Sequence, residues 1–173
     1  MIAVPHYDIV DMRSLPKCVA EVARWHHNEW LNGHPPGSRA AMGAAEGSLS
    51  SVSDREHNLR AHLSAATIPT SFVAHCNQQP LGTVSLVNYR FSKEHCARQW
   101  ITNLFVMEQF RGRGIALSLL QHCMHYAREL GLKELNLYTR GLEGFYLKHG
   151  WQYSHRGMVQ GQPVEVLKFF FDA

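Results

Sequence analysis

The densest group of chemistry-bearing residues is the string Glu108–Gln109–Phe110–Arg111–Gly112–Arg113–Gly114, which runs into Ile115–Ala116. An apolar stretch with Ile101, Leu104, Phe105 and Val106 precedes it. After it, Ala116, Leu119, Leu120, Cys123, Ala127 and Leu130 recur at helical spacing until Gly131 closes the pattern. A strand that passes through a Gly/Arg turn into a helix is a device for holding an anion. The first N–H groups of a helix have no intrahelical acceptor and carry partial positive charge. Glycines let a ligand approach the backbone closely, and two guanidinium groups add charge and paired donors. Together these suit a pyrophosphate. The string is not a Walker A loop, because no Gly-Lys-Ser/Thr follows. Nor is it the dinucleotide fingerprint, because Leu117 stands where a third glycine would be. The plain alternative is a glycine-rich turn with solvated arginines, and the strand before it and the helix after it argue against that reading.

The elements that must hold this turn are legible in the same way. A first strand is expected over Tyr7–Met12, then a helix capped by Ser14, with Pro16 early in it, running through Trp30. Asn32–Gly33–His34–Pro35–Pro36–Gly37 ends that helix. Residues 33–53, rich in Gly, Ala and Ser, are expected to be a flexible loop within the domain. A second helix follows over Ser53–Ala65, capped by Ser53 or Asp54, with Leu59 and Leu63 facing the core. Strands are expected over Ser71–Cys76, Leu81–Tyr89 and Gln99–Met107, then the long helix Ile115–Leu130, a strand over Glu134–Thr139 and a short helix over Leu142–His149. Two final strands, Trp151–Met158 and Val164–Phe171, flank a turn at Gln160–Pro163. The order β-α-α-β-β-β-α-β-α-β-β is mixed α/β with hairpins rather than a strict βαβ alternation.

Size and composition set the outer bounds. The chain has 173 residues, 45% hydrophobic and 18% charged, which is the profile of one globular domain spanning residues 1–173. Seventeen Lys and Arg against fourteen Asp and Glu leave a net charge of +3. That is too little, and too dispersed, for a nucleic-acid surface. No run approaches the ~20 apolar residues of a membrane span. Asp8, Asp11 and Arg13 interrupt the place where a secretory signal would put its apolar core, so a cytoplasmic protein is expected. The cysteines Cys18, Cys76, Cys96 and Cys123 form no C-x-x-C pair and are read as reduced thiols. Twelve histidines invite a metal reading, but no H-E-x-x-H or paired Cys/His spacing occurs, so no metal is expected.

Two strings carry a family resemblance. Arg111-x-x-Gly114-x-Ala116 is similar to the [Arg/Gln]-x-x-Gly-x-[Gly/Ala] acetyl-CoA signature of the GCN5-related N-acetyltransferases (GNAT). Phe145–Tyr146–Leu147–Lys148–His149–Gly150–Trp151 resembles that family's Phe-Tyr-x-x-x-Gly-Phe/Trp segment. One helix and one strand separate the two, as in the family. The resemblance is strong over residues 99–151 and follows the element order over the rest.

It implies a single GNAT-type α/β domain. A central, mixed, mostly antiparallel sheet of about seven strands would be flanked by about four helices and splayed at an acetyl-CoA slot. The backbone of Leu104, Phe105 and Val106 would pair with the pantetheine arm, and an N–H there would polarise the thioester carbonyl. Arg111, Gly112, Arg113, Gly114, Ile115, Ala116 and Leu117 would cradle the pyrophosphate. Tyr146 would be the general acid that protonates the leaving thiolate. The general base has no obvious candidate, because Trp100, Thr102, Asn103, Asn136 and Tyr138 stand where carboxylates would be sought. By position in the fold, His27, Glu29 and Trp30 would lie on the acceptor side, Glu29 holding an ammonium and Trp30 packing on an acceptor chain. The implied function is direct acetyl transfer from acetyl-CoA to a primary amine, of a small molecule or a peptide N-terminus, in a ternary complex. The alternative is a non-catalytic acyl-CoA sensor or interaction module on the same fold. A homodimer is conceivable through Phe169–Phe170–Phe171, if the last strand is a sheet edge.

Overall fold

The computed structural model describes residues 5–31, 51–91, 94–159 and 161–172. Among these residues seven strands form one sheet. They are β1 (Asp8–Asp11), β2 (Thr70–Cys76), β3 (Gln79–Tyr89), β4 (Arg98–Val106), β5 (Glu134–Thr139), β6 (Gln152–Val159) and β7 (Gln162–Phe170). Their spatial order is β1-β2-β3-β4-β5-β7-β6, and every pairing is antiparallel except β4–β5. Among the described residues four α-helices accompany them: α1 (Val19–Leu31), α2 (Val52–Arg60), α3 (Ile115–Glu129) and α4 (Glu143–Leu147). This is the expected mixed, mostly antiparallel architecture.

Side-chain alternation divides the sheet into two working faces. One face presents Phe72, Ala74, Val84, Leu86, Ile101, Leu104, Leu135 and Leu137 to α3 and α4, whose Ile115, Leu119, Leu120, Cys123 and Tyr146 complete that core. On the other face Val73 packs with Met12, Val19, Val22, Ala23 and Leu59 beneath α1 and α2. Farther along this second face, Phe91, Trp100, Tyr138, Val164 and Val166 form an aromatic cluster. Burying these apolar faces is the main drive to this arrangement.

Several boundaries differ from the sequence reading. Helix α1 begins at Val19, later than Ser14 suggested, because two short 3-10 turns, Met12–Ser14 and Pro16–Cys18, come first. Asp11 rather than Ser14 caps there, its side chain accepting from the Arg13 N–H. Helix α2 is capped by Ser51, whose hydroxyl accepts from the Asp54 N–H at 3.0 Å, so the expected caps Ser53 and Asp54 lie inside the first turn. The loop expected over 33–53 lies outside the described residues as far as residue 50. The last strand is not an edge: β7 runs between β5 and β6, and the sheet edges are β1 and β6. Phe169 and Phe171 pack on each other and Arg128 sits over Phe171, so the terminal Phe run is no free pairing edge.

Candidate active site

The site begins with an irregularity in β4. Ser85 pairs with Thr102, but Thr83 pairs with Phe105, so β4 spends three residues where β3 spends two. The extra residue is Asn103, whose φ of 54° is left-handed. Asparagine tolerates that region better than most residues, and a bulge both twists a strand and breaks its ladder. Across the bulge Phe105 packs against Trp25 of α1, while Leu104 and Val106 join the core beneath α3. Gly82 accommodates the close approach of the two strands there: a Cβ on it would lie 2.8 Å from the Phe105 carbonyl oxygen.

On its other side β4 meets β5 in parallel at a single register pair, Trp100 with Asn136. The Asn136 amide donates to the Gln99 carbonyl at 3.1 Å and holds that point together. Beyond it the strands diverge, and a cleft of about 240 Å³ opens. Leu104 and Val106 line it from β4. Arg111, Gly112, Gly114, Ile115, Ala116 and Leu117 line it from the turn and the first turn of α3, and Phe110 and Phe145 complete the wall.

The turn has the features of an anion cradle. Gly112 and Gly114 hold φ of 72° and 81°, where other residues are strained, and the space beside both is open. Gly114 is the N-cap of α3 and brings no side chain to bond the first-turn N–H groups. Arg113 lies over the Phe110 ring at 5.9 Å, and its Nη1 is buried without a hydrogen-bond partner among the described residues. A buried guanidinium nitrogen lacking an acceptor, beside an uncapped helix start, fits a phosphate group. Arg111 does something else. Its Nε donates to the Val106 carbonyl at 2.8 Å, its Nη2 lies 3.7 Å from Glu29 Oε1, and its guanidinium covers Phe105 at 5.4 Å. The arginine therefore ties the cleft to α1.

Tyr146 is buried in α4, with its ring edge-on to Phe145 and to Trp151. Burial pushes its phenol well above the ordinary value, so it stays protonated. On the α1 side Glu29 approaches Arg111 as described, and Trp25 rests against Phe105 with ring centroids 5.4 Å apart. His27 is half-buried and its Nδ1 accepts from Arg55 Nε at 3.3 Å, turned toward α2. The Trp30 side chain lies outside the described residues. The sequence reading passed over Phe110 as cleft wall, Gly82, and the buried Ser71, Thr83, Ser85 and His62. For Gly82 the one available signal is a glycine inside a strand. Among the described residues no group of His, Cys, Asp and Glu side chains converges as a metal site. Among them, too, no helix is long and apolar enough to cross a membrane.

The family model for the acetyltransferase (GNAT) domain matches residues 68–153, which run from the start of β2 past α4 and include the bulge, the cleft and Tyr146. The chain belongs to the GNAT family of acetyltransferases. Solved structures of the same fold lie at low identity. A GNAT-family acetyltransferase from Streptococcus pneumoniae aligns with a TM-score of 0.68 at 16% identity, over 96% of this chain and 100% of its own. An N-acetylglutamate synthase from Neisseria gonorrhoeae, complexed with coenzyme A and N-acetyl-glutamate, aligns with a TM-score of 0.68 at 15% identity, over 98% of this chain and 36% of its own. An acetyltransferase from Clostridium acetobutylicum with acetyl-CoA aligns with a TM-score of 0.63 at 19% identity, over 88% of this chain and 93% of its own. No curated protein matches the chain by sequence.

Proposed function

We propose that this protein is an N-acetyltransferase that moves the acetyl group of acetyl-CoA directly to an amine held in the same complex. The observation that carries the reading is the cleft itself. A splayed β4–β5 pair opens onto an uncapped helix start, with two open left-handed glycines and the orphaned Arg113 Nη1 beside it. The glycine turn, the α3 N-terminus and Arg113 would hold the pyrophosphate, and the backbone of Leu104–Val106 would align the acyl-bearing arm. Acetyl-CoA supplies the activated acyl group as a thioester.

The chain's residues then have distinct tasks. An N–H of the β4 segment beside the bulge stabilises charge on the carbonyl oxygen as the amine attacks. Tyr146 donates its proton to the departing sulfur, for which a phenol kept protonated by burial is suited. Phe110 and Phe145 exclude water from the reacting carbonyl. Glu29, Trp25 and Phe105 bound the acceptor side next to Arg111.

One observation favours the second reading, a non-catalytic acyl-CoA binder: among the described residues none of the buried polar side chains is a carboxylate that would serve as a base. A single experiment separates the two. Calorimetry establishes acetyl-CoA binding, and thiol release is then followed over a panel of amines. Release with at least one amine, at rates well above hydrolysis, supports the transferase. Binding with no release from any amine supports the binder, and no binding refutes both.

A further inference from the structure

Where the cleft meets α1, a positive and a negative side chain stand together on an aromatic wall. Arg111 lines the cleft. Three contacts fix its guanidinium: Nε donates to the Val106 carbonyl at 2.8 Å, the group covers the Phe105 ring at 5.4 Å, and Nη2 is 3.7 Å from Glu29 Oε1. The last contact is an ion pair but is longer than a hydrogen bond, so Glu29 does not take up the terminal N–H groups. The Arg111 side chain keeps 30% of its surface accessible and that of Glu29 keeps 22%, so a ligand in the cleft can reach both. A guanidinium anchored through Nε, with its terminal nitrogens beside a cleft, is a preorganised seat for a carboxylate. Arg113 is the one placed for phosphate, its Nη1 buried next to the start of α3.

Glu29 is placed for the opposite charge. It stands in the last turn of α1, where the terminal carbonyl groups carry partial negative charge, and no basic side chain occupies that turn. A carboxylate there adds to the negative end of the helix dipole instead of offsetting it. The two together favour a cation, and Arg111 at 3.7 Å satisfies them in part. Trp25 lies four residues before Glu29, one turn back on the same face of α1, and it rests on Phe105 with ring centroids 5.4 Å apart. Both rings are half-buried, so their remaining surface walls the same corner.

Side by side, then, are paired donors for a carboxylate, a carboxylate backed by a helix end for an ammonium, and an apolar wall. In an α-amino acid one carbon carries both charged groups, so its charges lie side by side as those of Arg111 and Glu29 do. A polyamine, a lysine side chain or a peptide N-terminus has no carboxylate beside its nitrogen and would meet the charge of Arg111 with nothing to offset it.

Resting on the transferase reading, we propose that the acceptor is a free α-amino acid: Arg111 receives its carboxylate, Glu29 its ammonium group, and Trp25 and Phe105 pack on its carbon chain. Arg111 keeps its bond to Val106, and the long contact with Glu29 opens to admit the zwitterion. The ammonium loses two protons on becoming an amide nitrogen. One passes to solvent by way of Glu29 before the nitrogen bonds to the thioester carbon. The other leaves as the carbon–sulfur bond breaks, and it replaces the proton that Tyr146 gives to the departing sulfur. The products are the N-acetyl amino acid, the CoA thiol and one released proton.

The test uses the full chain with saturating acetyl-CoA and follows thiol release near neutral pH. The probes are the common L-amino acids, each beside its own carboxamide, with spermidine and a lysine-free peptide as further amines. The amine of the carboxamide is the less basic of each pair, so a larger fraction of it is neutral, and on reactivity alone the carboxamide would be the better acceptor. Carboxylate recognition reverses that order: the best amino acid should exceed its carboxamide by roughly 10- to 100-fold in kcat/KM, the range for hydrogen bonds to a charged group. Arg111→Gln should abolish this ratio, costing the amino acid roughly 30-fold, mostly in KM, and the carboxamide less than about threefold, with acetyl-CoA affinity held within about threefold. Arg111→Lys, which keeps the charge, should restore part of the ratio. Glu29→Gln should raise KM for both probes by about tenfold, because both carry the ammonium. A merely structural role for Arg111 would slow both probes alike and leave the ratio intact, and that result overturns the proposal. So does wild-type turnover of carboxamides, spermidine or the peptide as fast as of the amino acids, a result that needs no variant to fold. An Arg111→Gln variant that loses acetyl-CoA affinity tenfold with the ratio unchanged also overturns it and puts Arg111 on the cofactor. Acetyl-CoA binding with no thiol release from any probe refutes the transferase reading instead.

Discussion

Tyr146 and Arg113 illustrate how differently two residues of one site can be read. Tyr146 stands in the string Phe145-Tyr146-x-x-x-Gly150-Trp151, and its environment is local: Trp151, and Phe145 beside it on the same short helix. The role expected from sequence is therefore consistent with its burial and raised phenol. Tyr146→Phe should lower kcat by about 100-fold while the affinity for CoA stays within twofold, since only the proton is removed; calorimetry and thiol release measure the two separately. Arg113 was grouped with Arg111 as a pair of pyrophosphate donors, yet Arg111 spends its guanidinium on Val106 and Glu29. Sequence spacing cannot reveal this, because Glu29 belongs to another helix. Arg113→Ala should weaken CoA binding by roughly tenfold. Arg111→Ala should instead disturb the acceptor side, raising KM for the amine more than for acetyl-CoA.

At the scale of elements, the strand–turn–helix unit was readable end to end, since the apolar run before Arg111 and the stripe from Ala116 to Ala127 are both strong periodic signals. The β4 bulge was not. Asn103 reads as an ordinary polar residue in a strand, and only its pairing across β3 exposes the extra residue. Gly82 belongs to the same device. In Gly82→Ala the new Cβ would meet the Phe105 carbonyl oxygen at 2.8 Å, with Leu119 and Val106 at 3.1 Å. The strands must part, which should cost about 1–3 kcal/mol of stability and shift the urea midpoint down. It should also weaken CoA binding, because the displaced segment is the one that lines the slot. The first two helices show the converse limit: their existence was clear from periodicity, but their starts were set by Ser51 and by 3-10 turns that the sequence does not advertise.

For the molecule as a whole, the buried imidazoles set an acid limit. His26 and His62 are held neutral in the folded state at values below the ordinary 6.5. The unfolded chain therefore binds more protons than the native one between about pH 6.5 and pH 4, and stability rises with pH across that window. Stability should be full above pH 6.5 and fall on acidification by up to about 3 kcal/mol for each histidine by pH 4. Thermal melts of the wild type against His62→Asn test this, the variant losing part of the slope. The sheet carries a second global consequence. With Trp100–Asn136 the one register pair between β4 and β5, the strands β1–β4 and the group β5–β7–β6 are two hydrogen-bonded ribbons fastened at one rung, with α3 laid across. Such halves can open separately. Hydrogen exchange should accordingly resolve two protection levels in the unliganded chain, and a ligand wedged along the seam should merge them into one, making the ligand the cross-member that completes the sheet.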